Sequence, residues 1–126
     1  MNDFGNPSRV DNREDILIQA LPTDIRALRD YLLTVRQLLD ERVRDIGDSY
    51  DREVASQPEL SALTHLEEAI SRRVAELPCE SIPEILGKFS VYDMLDEMDE
   101  GADTSMERDR LIRSIRRDIE HLTARA

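Results

Sequence analysis

Few side chains in this sequence could do chemistry, and their spacing suits none of the common sites. Two histidines, one cysteine and four glycines are spread over 126 residues. Asp96, Glu100, Gly101 and Glu107 fall on positions 1, 5, 6 and 12 of a twelve-residue calcium loop, but Met98 occupies position 3, where an oxygen ligand is needed. The segment therefore reads as an acidic interhelical loop. His65 has the placement of a phospho-acceptor in a helical phosphotransfer domain, yet Glu67 and Glu68 follow it and would repel a phosphoryl group. Asp118 precedes His121 at the carboxylate-x-x-His spacing of di-iron bundles, which need two such pairs. A single pair reads as a surface salt link.

Cys79 lies between Pro78 and Glu80, and a neighbouring carboxylate disfavours the thiolate, so it reads as a small apolar filler at an interhelical corner. Gly5, Gly47, Gly87 and Gly101 are isolated, which leaves no phosphate-cradling loop, and no serine sits in a nucleophile elbow. The expectation is no catalytic residue, no metal ligand and no cofactor.

The elements that would position any site are helical. Leu, Ile, Val and Phe make up about a quarter of the chain, above the range of disordered sequences. Ile25, Leu28, Leu32, Val35 and Leu39 recur at alternating three- and four-residue steps, and Val43, Ile46, Tyr50 and Val54 extend the series. Thr23 is placed to cap this helix and Pro22 to end whatever precedes it. Gly47 is a possible terminator, but the apolar phase persists beyond it, so the spacing predicts one helix over 23–55. Ser56-Gln-Pro-Glu59 and Ser81-Ile-Pro-Glu84 each have the form of a capping box with proline in the first turn. The first predicts a helix carrying Leu60, Leu63, Leu66, Ile70, Val74 and Leu77 up to Pro78. The second predicts a shorter helix through Ile85 and Phe89, with a further turn carrying Val91, Met94, Leu95 and Met98. Thr104 and Glu107 form a third box before a last helix with Leu111, Ile112, Ile115, Ile119 and Leu122.

These readings give an all-α fold: a long antiparallel helical hairpin with two to three shorter helices packed on it. Residues 1–12 read as a flexible lead-in and 13–126 as a single helical domain. A helix over 23–55 overhangs its partner, so either Gly47 bends it back or Ile46, Tyr50 and Val54 are left for another copy or a partner to bury, and a homodimer is the expected form.

Charge bounds the partners. A net charge of −11 disfavours direct binding to nucleic acid or an anionic membrane. The longest apolar runs are three residues, as in Ile16–Ile18, so neither a signal peptide nor a membrane span is expected, and with a lone cysteine the expected location is cytoplasmic. Sixteen arginines accompany a single lysine, Lys88, a bias that reads as a GC-rich genome and also suits bidentate pairing with carboxylates. Arg110, Arg113, Arg116 and Arg117 form the one basic cluster. Glu107, Asp109, Asp118 and Glu120 are interleaved with it, so it reads as a clasp for acidic groups, with Arg110, Arg113 and Arg117 as candidate interaction residues.

Ser81-Ile-Pro-Glu-Ile-Leu-Gly-Lys88-Phe89 and Ser114-Ile-Arg-Arg-Asp118-Ile-Glu-His-Leu122 together resemble a pattern in small helical hypothetical proteins of GC-rich bacteria. There a Ser or Thr opens a short helix ending in Lys and an apolar residue, and the final helix carries Ser-x-x-x-Asp. The chain departs from the pattern at Glu84, where glycine is usual, and the resemblance implies no activity. The sequence points to a non-enzymatic helical protein-interaction or regulatory/accessory protein. The alternative is an acidic nucleic-acid mimic that inhibits a DNA- or RNA-binding protein by occupying its basic groove.

Overall fold

The computed structural model describes residues 20–98 and 104–125. The lead-in over 1–12, and Glu100, Gly101 and Asp103 of the acidic loop, lie outside them. The described residues form four α-helices and no strand: α1 (Ile25–Ile46), α2 (Tyr50–Glu76), α3 (Ile82–Met98) and α4 (Ser105–Arg125). None is long and apolar enough to cross a membrane.

The predicted 23–55 helix is divided. Gly47 takes φ +53°, a backbone that side-chain-bearing residues rarely adopt, and its N–H closes α1 on Val43 O. Ser49 then caps α2 by accepting from Arg52 N at 3.3 Å, and Asp51 and Glu53 place negative charge in its first turn. The chain therefore reverses eight residues before the end of the predicted helix. Ser56 starts nothing, and Pro58 lies inside α2, where Val54 O loses its usual N–H partner. At the other end of α1 the cap is Asp24, which accepts from Ala27 N at 3.2 Å, and not Thr23. The box at Ser81 is formed in part: Ser81 Oγ accepts from Glu84 N at 3.4 Å, while Glu84 Oε1 accepts from Ser81 Oγ and from Glu80 N in place of the Ser81 amide. Thr104 instead donates its hydroxyl to Leu95 O at 2.8 Å, tying the start of α4 to α3.

α1 and α2 are antiparallel: Arg42 Nε donates to Glu59 Oε1 at 2.7 Å near the turn, and Arg36 lies 4.0 Å from Glu67 further down. Gly87 abuts Ile25, and Met94 and Met98 share a cleft with Leu32 and Asp40, so α3 runs in the direction of α1. Ser114 meets Ala75 while Glu107 shares a cleft with Glu67, so α4 runs in the direction of α2. The result is one hairpin stacked on another around Ile25, Leu28, Leu32, Val35, Ile70, Val74, Val91, Leu95, Leu111 and Ile115. Each such buried side chain contributes about 1.5–3 kcal/mol by leaving water. The stack does not extend along the whole first hairpin: between Glu41 and Leu63 only Ile46 is buried. That stretch projects as a two-helix arm.

Candidate functional site

The polar centre of the molecule is Lys88. Helical spacing puts it in phase with Ile85, Val91 and Leu95 on the buried side of α3, and its side chain is fully enclosed. Ser114 and Asp118 are likewise in phase with Leu111 and Ile115 on α4. Lys88 Nζ donates to Asp118 Oδ2 at 2.5 Å, to Ser114 Oγ at 2.7 Å and to Leu77 O at 2.5 Å. Asp118 Oδ1 accepts from Cys79 N at 3.3 Å, and Ser114 Oγ donates to Ala75 O at 2.7 Å.

This network answers a backbone problem at the end of α2. The last carbonyls of a helix have no intrahelical partner, and Pro78 has no N–H to offer. Leu77 O and Ala75 O take Lys88, Ser114 and Arg117 instead, so two cations meet the negative end of the helix dipole. A serine beside a lysine is also the composition of a nucleophile and its base. Here every Lys88 donor is engaged and Ser114 Oγ donates to a carbonyl, so the pair ties α3 and α4 to the end of α2.

Of the residues singled out for chemistry, Cys79 and Asp118 meet in this network, and the others lie apart from it. Cys79 is buried at the α2–α3 corner, and burial pushes its thiol up to about 12, with Lys88 opposing and Asp118 reinforcing the shift. Asp118 faces inward to Lys88 and makes no salt link with exposed His121, a correction to the surface pairing read from their spacing. His65 is half-exposed on α2, 3.9 Å from Glu68. Asp96 is on α3 and pairs with Arg108 at 3.0 Å, while Glu107 is in the first turn of α4. Among the described residues no cluster of three His, Cys, Asp or Glu side chains could hold a metal.

Of the residues expected to present an interaction surface, Ile46 does not: it is buried where α1 meets the turn. Tyr50 and Val54, one helical turn apart on α2, are 75% and 53% exposed. Arg110, Arg113 and Arg117 are brought together with Glu76, Asp109, Met106, Ser114 and Ala75 along a groove of about 410 Å³ between α2 and α4. Arg113 pairs with Asp109 at 2.8 Å on the surface, and Arg117 reaches Ala75 O and Ser114 Oγ, both at 3.3 Å. Arg110 has no ion-pair partner among the described residues.

A second surface was not anticipated. On the side of the first hairpin away from α3 and α4, Ala27, Tyr31, Thr34 and Leu38 of α1 and Leu63 and Leu66 of α2 line a groove of about 550 Å³. Tyr31 and Leu38 remain 47% and 39% exposed. The sequence signal was present: residues 27, 31, 34 and 38 form their own four-three-four series beside the core stripe.

The described residues are all-α, four helices of which the first two project at one end as a hairpin arm. Comparison of the chain with protein-family models, curated proteins and solved structures gives no match.

Proposed function

We propose that this chain is a non-enzymatic helical protein-interaction module, accessory to a larger assembly, that receives an amphipathic helix of its partner on the back of the α1/α2 hairpin. The observation that carries this reading is the groove over Tyr31, Leu38, Leu63 and Leu66, whose length along two antiparallel helices and half-exposed apolar walls suit a helix presenting side chains at i, i+3, i+4 and i+7. Thr34 and Asp30 on its rim supply polar ends for such a helix.

A photo-crosslinking residue in place of Leu38, expressed in the native host, tests the reading. It should capture one dominant partner, and Tyr31→Asp in the same chain should abolish capture without loss of helicity. Equal capture from Leu33, on the opposite flank of α1, would reject the groove as the site.

A second reading, the acidic nucleic-acid mimic, draws on the exposed carboxylates of Glu41, Asp45, Asp48, Asp51 and Glu53 around the end of the arm. It requires a captured partner that binds DNA or RNA and releases the protein when nucleic acid is added.

A further inference from the structure

We infer that two copies of the chain pair through α2, each copy seating the tip of its arm in the arginine-lined groove of the other. This face lies apart from the hairpin's back groove and does not depend on it. Tyr50, Val54, Ser61 and Ala75 fall on one side of α2 by helical spacing, so the exposed tip and the groove wall belong to the same face. Tyr50 and Ala75 are about 37 Å apart at 1.5 Å per residue. Two α2 helices laid antiparallel bring each Tyr50 to the other copy's Ala75, with small Ser61 near the crossing point, where the backbones come closest.

Charge selects a second copy as the occupant. The tip carries Asp48, Asp51 and Glu53 around Tyr50, none in an ion pair with a described residue, while Arg52 between them donates to Asp45 O at 3.2 Å, so the tip keeps a net negative charge. The groove carries three arginines against two carboxylates, Glu76 and Asp109, in a chain whose net charge is −11: Arg113 pairs with Asp109, Arg117 is held by Ala75 O and Ser114 Oγ, and Arg110 has no ion-pair partner among the described residues. Tip and groove are therefore complementary in sign, and at about 410 Å³ the groove is wide enough for the Tyr50 ring beside Met106. The arrangement is isologous, so one contact is made twice and the assembly closes at two copies.

Sedimentation equilibrium at tens of micromolar tests this with two charge-reversed chains, D51R/E53R and R110E/R113E. The wild-type chain should sediment at twice its 14.5 kDa mass. Each reversed chain alone should be monomeric while keeping its helical circular dichroism. An equimolar mixture of the two should recover the dimer, because each reversed tip then meets a reversed groove, a rescue that misfolding cannot produce. A monomeric wild type, a dimer that either reversed chain retains, or a mixture that stays monomeric would each overturn the proposal.

Discussion

Lys88 Nζ and Asp118 Oδ2 stand 2.5 Å apart, and neither side chain is more than 3% exposed. Two opposite charges taken out of water attract strongly but forfeit their hydration, so such a pair stabilises little as a unit while the loss of one member is severe. Lys88→Met should leave Asp118 buried without its counter-charge and cost about 3–5 kcal/mol in chemical denaturation. Asp118→Leu should cost a similar amount, and the double variant less than either, which a double-mutant cycle reads directly. Strict additivity would show that the two charges act independently.

Glu67 supplies a pH dependence. Burial raises its carboxyl from 4.5 to about 7, with Arg36 opposing, and its Oε2 is buried without a hydrogen-bond partner. The folded chain therefore holds a proton that the unfolded chain has released, and stability falls as pH rises between those two values. Glu67→Gln keeps the shape and removes the titration. It should add about 1–2 kcal/mol at pH 8, after allowance for solvent screening, and almost nothing at pH 4. Urea melts at the two pH values check this; an equal effect at both would remove the carboxyl as the cause.

Gly87 holds α3 against α1. A methyl group there would lie 2.8 Å from Ile25 Cγ2, so Gly87→Ala should cost about 1–3 kcal/mol despite its better helix propensity. The cost should fall by at least half in an Ile25→Leu background, where no branch at Cβ meets the new methyl. Thermal melts of the four chains decide it.

Ser81 and Ser56 head the same sequence pattern and should behave differently. Ser81→Ala removes a formed cap and should cost about 0.5–2 kcal/mol. Ser56→Ala lies within α2 and should change stability by less than about 0.5 kcal/mol. Matching losses at both sites would mean that α2 begins near Ser56 in solution.

The contrast between these serines shows what the sequence could convey. The stripe Ile25, Leu28, Leu32, Val35 and Leu39 is buried throughout, because its period is set by the helix itself. Val43, Tyr50 and Val54 continue that phase and are all exposed: Val43 lies on the part of α1 that the second hairpin does not cover, and the turn at Gly47 sends the chain back before Tyr50 and Val54 can use the period. Periodicity reports a face but not whether anything covers it. Pro58 is tolerated inside α2 because Ser49, Asp51 and Glu53 have already launched the helix, a competition between two start signals that local pattern does not rank. The enclosed network was half legible: Lys88, Ser114 and Asp118 each sit in phase with buried aliphatics, whereas their meeting at Leu77 depends on how α3 and α4 close over the end of α2.

The enclosure of Lys88 also fixes what amine chemistry can report. The chain has one lysine, and its ammonium group is fully enclosed by the fold. Acetylation, ubiquitin attachment and amine-directed labelling at a side chain must wait until α3 and α4 separate. The rate at which Lys88 becomes labelled is thus a clock for that opening, readable by mass at a single position, and a lysine-directed degradation tag would fall only on chains that have already come apart.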